Sequence, residues 1–164
     1  MLHHVAEEIE RRYQALAQVQ AREWVAYNQK MAEMGQRRLP YLVVMIDNLY
    51  DLMLNASKEL DQALTGIVQK ARPVGVHLIL ATLRSNVATI AGSIKANFPG
   101  RIAFRVAEKT ESVQLLDVAG AEKLLGRGDM LYKSPNAAQL QRIQGVYLTE
   151  SEVNRIIDYW RQVK

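Results

Sequence analysis

The chain has 164 residues, of which 49% are hydrophobic and 23% are charged, and its net charge is +4. This length and composition predict one folded globular domain and exclude an intrinsically disordered chain. The chain has no cysteine, which excludes disulfides and thiolate metal sites, and its three histidines form a poor ligand set for a metalloenzyme. The mild positive charge is compatible with an anionic partner.

The sequence does not open with the apolar core of a signal peptide. Its most apolar stretch, LPYLVVMIDNLYDLML, is interrupted by Asp47 and Asp51, so we expect no transmembrane segment. These features predict a soluble, cytoplasmic protein.

Helical periodicity marks the N-terminal part of the chain. Apolar residues recur at helical spacing over residues 5–34, which predicts one amphipathic helix or two. Gly35 and Pro40 then precede a short β-branched run over residues 41–46, which predicts a buried strand ending at Asp47.

A second helix and strand follow in the same order. Residues 60–71 have helical periodicity, and Pro73 and Gly75 separate them from an apolar run over residues 76–81. Two continuous apolar strands joined by a helix are typical of a parallel sheet covered on both faces. Within the second strand, His77 is expected to be a hydrogen-bonded core residue.

The rest of the chain predicts a third helix and strand and then an extension. We expect a helix over about residues 89–96, a strand over 101–106 and a short helix from about residue 110. Two short strands, over 130–133 and 142–147, form a hairpin-like extension. Thr149 and Glu152 form a capping box for a final helix, and both tryptophans, Trp24 and Trp160, are expected to pack on helices.

These elements predict an α/β fold and a single domain. Its parts are a helical region over residues 1–35, an α/β core over 40–125, and a β extension with a C-terminal helix over 126–164. In such a sheet, polar chemistry gathers at the carboxyl ends of the strands, which are the segments 47–48 and 82–84.

One motif points to nucleotide chemistry. An apolar strand that ends in Asp, as in YLVVMIDN, is typical of hydrolases that hold the water shell of a phosphate-bound magnesium ion, and Asp47 has this position. Taken alone, this signal is weak, because many parallel strands end in an acidic residue that serves capping or solubility.

Read in order, several blocks carry a family resemblance: ERRY, LPYLVVMIDNLYDLM, ARPVGVHLILATLR, IKANFPGRIAFRV, GAEKLLGRGDMLY and RIQGVYLTESEVNRIIDYW. Over about residues 10–161 the chain resembles the motor of FtsK/SpoIIIE DNA translocases. The resemblance implies a RecA-like P-loop NTPase fold, hexameric rings, ATP and Mg²⁺ as cofactors, and double-stranded DNA drawn through the ring during chromosome segregation.

The resemblance also identifies departures from the family's pattern. No segment of the chain matches the phosphate-binding loop G-x-x-x-x-G-K-[ST], so the chain is expected to correspond to the C-terminal part of a truncated motor core. Asn48 stands where the family's Walker B signature has Glu, and Leu83 stands where a sensor Gln is usual. We therefore expect no cofactor on this chain alone and no independent ATP hydrolysis, with Asp47 binding Mg²⁺ only if nucleotide binds.

Basic residues are the remaining candidates. Arg101 corresponds to a family arginine that could act in trans on a neighbouring subunit's nucleotide; the alternative is an ion pair with an acidic side chain. Arg84, Lys95 and Lys133 are weak candidates for DNA binding, because solvated surface cations are the commoner explanation.

Three functional interpretations stay open. The leading one is a degenerate motor module with a DNA-binding or ring-assembly role, as a homo-oligomer or beside other motor subunits. In the second, a partner chain supplies the phosphate loop of an active translocase. The third is a protein-interaction module related to secretion ATPases.

The sheet itself carries one further prediction. In RecA-like cores the phosphate-loop strand lies between the strands that correspond to 76–81 and 101–106. Without it, we expect these two strands to pair directly, or a second copy of the chain to fill the gap.

Overall fold

The computed structural model describes residues 2–83, 92–137 and 139–163. The chain divides into two compact units, Met1–Phe98 and Pro99–Lys164. The boundary falls inside the predicted α/β core, and the assignment of the whole chain to one domain stays a prediction.

The first unit combines helices with a parallel pair of strands. The predicted N-terminal helix is two helices, because the chain turns between them at Gln20, which has a φ of 54°. Two short connections shape the entry to the second strand: a 3-10 turn at Arg72–Val74, and Gly75 with a φ of 72°. The elements in chain order are α1 (Leu2–Gln18), α2 (Trp24–Glu33), β1 (Leu42–Ile46), α3 (Leu49–Ala71), β2 (Val76–Leu80) and α4 (Gly92–Asn97).

Strands β1 and β2 are parallel, with Leu42 opposite Val76 and Ile46 opposite Leu80. One face of this pair packs on the helices, in two apolar clusters. The first contains Val5, Ile9, Leu16, Ile67, Ala71, Val74 and Val76, and the second contains Ile46, Leu49, Met53, Leu60, Leu64 and Ile94.

The other face of β1 and β2 is exposed within the described part of the first unit. Val43 and Met45 have 53% and 68% of their surface exposed. His77 lies on this face as well, so its predicted core position is wrong. Its ring instead contacts Tyr41 edge-to-face, at 5.2 Å between centroids. Side chains alternate along a strand, and the apolar Ile79 on the same face hid that alternation in the sequence.

A buried arginine fastens α1 to the start of β2. Arg12 is 3% exposed, and its guanidinium donates to the Val74 carbonyl at 3.0 Å and to Glu8 at 2.7 Å. Glu8 also accepts from the exposed Arg11, at 2.7 and 2.8 Å. The hydrogen bonds from Arg11, and then those from Arg12, lower the pKa of Glu8 to about 2.

Trp24 is the first residue of α2 and packs on residues that precede β1 and β2. Its ring stacks on Tyr41 at 3.9 Å between centroids, and its indole N–H donates to the Leu39 carbonyl at 2.9 Å. The ring also lies against Gly75, where a Cβ atom would come within 2.5 Å of Trp24 Cδ1. Glycine is therefore required at position 75 both for its φ and for this contact.

The second unit is an antiparallel sheet with two helices. Its elements are β3 (Arg101–Ala103), α5 (Lys109–Leu116), β4 (Asp129–Lys133), β5 (Gln141–Gln144) and α6 (Glu150–Gln162). Strand β4 lies in the centre, in the order β3-β4-β5. The apolar core of this unit contains Ala103, Leu116, Ala121 and Leu124.

The predicted direct pairing of residues 76–81 with 101–106 is wrong. In the described residues, β2 pairs with β1, and β3 pairs with β4 in an antiparallel register. The C-terminal extension supplies a neighbouring strand along one edge of β3, so the backbone groups on that edge pair within the second unit. The alternative, in which a second copy of the chain adds a strand, stays a prediction.

The final helix begins as predicted. Thr149 and Glu152 form the reciprocal capping box at the start of α6. The expected packing of Trp160 is not found, because this side chain is 66% exposed. Within the described ranges, no helix has the length and apolar character needed to cross a membrane.

Candidate functional site

The carboxyl ends of β1 and β2 lie side by side. The Ala81 N–H donates to the Ile46 carbonyl at 2.9 Å, and the Leu49 N–H donates to the Ala81 carbonyl at 2.9 Å. These bonds bring the segment that follows β2 against the start of α3. The segments 47–48 and 82–83 therefore share one edge, as expected for parallel strands.

Asn48 acts as the N-cap of α3. Its side-chain oxygen accepts from the Tyr50 N–H at 3.2 Å and from the Leu83 N–H at 3.4 Å. Its side-chain nitrogen donates to Asp51 Oδ2 at 3.2 Å. The amide is thus used to begin a helix and to join the two strand ends.

Asp47 and Leu83 occupy the remaining predicted positions at this edge. Asp47 is exposed, so its carboxylate faces solvent. Leu83 is 88% exposed, and its side chain has no hydrogen-bonding group. Arg84 lies outside the described residues.

The donor set at this edge does not fit a complete Mg-ATP site. Asp47 offers one carboxylate, the Asn48 amide is used in capping, and Leu83 offers no donor or acceptor. In the described ranges no group of three or more His, Cys, Asp or Glu side chains could hold a metal ion.

A cluster of charges lies in the second unit. Arg101 Nη1 donates to Asp117 Oδ2 at 2.7 Å, and Lys133 Nζ donates to the same oxygen at 2.5 Å. Asp117 is the C-cap of α5 and has a φ of 68°. The structure thus brings together two predicted candidates, Arg101 and Lys133, and shows Arg101 in an ion pair with an acidic side chain.

Sequence reasoning missed Asp117. The only local signal is an Asp directly after an apolar helical run, where the left-handed C-cap conformation tolerates Asp and Asn better than most residues. That signal cannot identify its partners, because Arg101 and Lys133 each lie 16 positions away in the sequence.

Two further basic residues, Lys95 and Arg127, lie outside this charge cluster. Lys95 is half-buried in the last turn of α4, in the first unit, whereas Lys133 belongs to the second. Arg127 is exposed in the turn before β4, with a φ of 52°, and its guanidinium lies 5.8 Å from the Tyr147 ring centroid.

A buried carboxylate fixes the same turn. Asp129 accepts from Arg142 Nη2 at 2.7 Å and from the Leu125 N–H at 2.7 Å. The hydrogen bond from Arg142, followed by the one from the Leu125 backbone, lowers the pKa of Asp129 to about 2. This carboxylate therefore serves the structure of the turn.

Comparison with known proteins connects these features to a family. The sequence matches the model of the FtsK/SpoIIIE family over residues 1–87. The DNA translocase FtsK of Leptospira interrogans is 48% identical over 160 residues, which cover 95% of this chain and 17% of that protein. The DNA translocase FtsK of Chlorobaculum tepidum is 48% identical over 158 residues, which cover 96% of this chain and 19% of that protein. The chain spans about a fifth of the length of these relatives.

Solved structures share the fold. The conjugation coupling protein TcpA of pCW3, in a monomer form with ATPγS, superposes with a TM-score of 0.78 at 23% identity, over 97% of this chain and 47% of that one. The cytoplasmic domain of the type VII secretion ATPase EccC of Thermomonospora curvata gives a TM-score of 0.75 at 23% identity, over 92% of this chain and 18% of that one. The expected α/β, RecA-like fold is confirmed. Because the family model matches more than half of the residues, the chain belongs to the FtsK/SpoIIIE family.

Proposed function

We propose that this chain serves an FtsK/SpoIIIE-type DNA motor as a module for duplex DNA contact or ring assembly, without hydrolysing ATP by itself. The proposal rests mainly on the hydrogen bonds of Asn48. Its side-chain oxygen accepts from the Tyr50 N–H, which caps α3, and from the Leu83 N–H. At the carboxyl end of β1, where the family resemblance leads us to expect hydrolytic residues, Asn48 instead serves as the N-cap of α3.

Hydrolysis of a phosphoanhydride depends on groups that orient the attacking water and stabilise developing charge. An asparagine amide is neutral and cannot accept the proton of that water. At Leu83 no polar side chain is available to sense a phosphate oxygen. Of the two acidic residues that the resemblance implies at positions 47 and 48, only Asp47 is present. One carboxylate without a second acidic group to activate water is not expected to support turnover.

The choice of DNA over a protein substrate follows from the stronger similarities. Relatives that are 45–48% identical over nearly the whole chain are named DNA translocases, whereas the secretion ATPase EccC is 23% identical. A net charge of +4 also suits an anionic partner. Other motor subunits, or a chain that carries the phosphate loop, are the protein partners that this proposal implies.

A steady-state ATPase assay at high protein concentration tests the absence of turnover. We expect the chain and its Asp47→Ala variant to give the same background rate. Turnover that survives repurification and disappears in Asp47→Ala would contradict the proposal. If Asp47-dependent turnover arises only after a phosphate-loop-bearing chain is added and co-purifies, the chain is instead part of an active translocase.

A DNA titration tests the second part of the proposal. With few phosphate contacts, we expect the isolated chain to bind duplex DNA with a Kd of roughly 10⁻⁴–10⁻⁶ M and to lose affinity as salt rises. If no binding is detected at low salt, DNA is not a ligand of this chain. Binding that high salt leaves unchanged would contradict an electrostatic contact.

A further inference from the structure

The last helix of the second unit carries an apolar stripe that is not buried in the described part of the chain. Positions 153, 156, 157 and 160 of α6 have the spacing of one helix face. The exposed fractions of these side chains are 40% for Val153, 46% for Ile156, 41% for Ile157 and 66% for Trp160. No side chain of α6 is buried. An apolar stripe that stays in contact with water is a candidate surface for another apolar surface.

The stripe is complementary to itself when the direction of the helix is reversed. On an α-helix these four positions are symmetric about the midpoint between Ile156 and Ile157. If two copies of α6 lie antiparallel about a two-fold axis at that point, Val153 of each copy faces Trp160 of the other. Ile156 and Ile157 of both copies then form a central layer between the two Val–Trp layers. A small side chain opposite a large one allows such layers to interdigitate.

The charges beside the stripe also favour the antiparallel direction. Glu150 begins α6 and Arg161 lies near its end, and their spacing puts both on the same flank of the stripe. In the antiparallel pair, Arg161 of each copy comes beside Glu150 of the other, whereas a parallel pair would set like charges together. Within one chain, Arg161 lies 3.5 Å from Asp158, but both side chains are mostly exposed and this ion pair is therefore weak.

We infer that two copies of this chain associate through an antiparallel pair of α6 helices. The contact is isologous, since both copies use the same patch, and it closes at two copies. A ring needs contact between two different patches, so this contact is separate from the ring assembly of the proposed function and does not depend on it. A helix of 13 residues is about 20 Å long, which makes the interface small and the dimer weak.

Sedimentation velocity of the 164-residue chain over a range of protein concentrations tests the association. We expect a monomer–dimer equilibrium that persists at high salt, because apolar layers carry the contact. Ile157→Gln places an amide in the central layer of both copies and should weaken the dimer at least about tenfold.

Leu125→Gln is the matched control, because it makes the same kind of change at an apolar side chain outside α6 that is 79% exposed. We expect it to change the dimer Kd less than about twofold, as for an ordinary surface substitution. Far-UV circular dichroism checks that both variants keep the helix content of the unmodified chain.

The direction of the two helices has a separate test. The chain has no cysteine, so single-cysteine variants can be cross-linked at one chosen position. A mixture of Glu150→Cys and Arg161→Cys, treated with a short thiol-reactive cross-linker, should give the mixed product. Glu150→Cys alone should give little product, because its two copies lie about 20 Å apart along the axis of an antiparallel pair.

The inference is overturned if the chain stays monomeric at the highest concentration, or if Ile157→Gln and Leu125→Gln have equal effects. Cross-linking of Glu150→Cys to itself as readily as to Arg161→Cys would overturn the antiparallel arrangement. Larger assemblies that Ile157→Gln leaves unchanged would place the association on another surface and also overturn the inference. The tests of ATP turnover and DNA binding are independent of all these outcomes.

Discussion

Replacing Arg12 should destabilise the first unit far more than replacing its neighbour. Arg11 and Arg12 both pair with Glu8, yet their side chains are 60% and 4% exposed. Arg12→Met removes the bonds to Glu8 at 2.7 Å and to the Val74 carbonyl at 3.0 Å, while the apolar stem is retained.

The expected magnitude follows from burial. A hydrogen bond to a charged group contributes about 1.5–3 kcal/mol, and a buried carbonyl left without its donor costs about 1–3 kcal/mol. Glu8 keeps Arg11 as a partner, so we expect Arg12→Met to lower the free energy of unfolding by about 3 kcal/mol in total. Arg11→Met removes an exposed pair, for which about 0.2–1 kcal/mol is expected.

Urea unfolding followed by far-UV circular dichroism measures both variants against the unmodified chain. The dependence of the unfolding free energy on urea should be unchanged, because neither substitution alters the surface exposed on unfolding by much. Equal effects of Arg11→Met and Arg12→Met would refute the reasoning, since burial is the main difference between the two sites.

Three other changes test the fold. Gly75→Ala should destabilise the chain by more than about 2 kcal/mol, because it combines a left-handed φ with a Cβ atom 2.5 Å from Trp24 Cδ1. Gly66→Ala lies inside α3, with no atom within 4 Å of the new Cβ, and should stabilise the chain by about 0.5–1 kcal/mol. A lower melting temperature than that of the unmodified chain would contradict this expectation. The folded-state pKa values of Glu8 and Asp129 are about 2, below their ordinary values of 4.5 and 3.8, so the stability they contribute should be complete above about pH 4.5 and decline toward pH 2. Asp129→Asn should flatten that decline in acid titrations, and an unchanged profile would contradict the assignment.

Local patterns in the sequence predicted much of the fold. Pro40 separates α2 from β1, and Gly75 separates α3 from β2. The apolar runs that follow these two residues form the strands. The Thr149 to Glu152 spacing also predicted the start of α6 correctly. Each of these features depends on neighbours within a few positions, which is the range over which propensity and capping act.

The predictions that were wrong or incomplete concern contacts between residues far apart in the sequence. The partner of β3 is β4, and nothing in the local pattern of residues 101–106 selects an antiparallel neighbour over a parallel one. Asp117 pairs with two cations because the strand register places Arg101 opposite Lys133. The exposed position of His77 similarly depends on which face of the sheet the helices cover.

The capping role of Asn48 bears on how this position can change over evolutionary time. Asparagine is among the best N-cap residues and glutamate is not, so replacing Asn48 with glutamate would weaken the start of α3 by an amount on the order of 1 kcal/mol. Helix α3 carries Leu49 and Leu64 into the apolar core, so that loss would be felt by the whole first unit. A lineage that acquired a carboxylate at this position would need a stabilising change elsewhere first, which favours the persistence of asparagine.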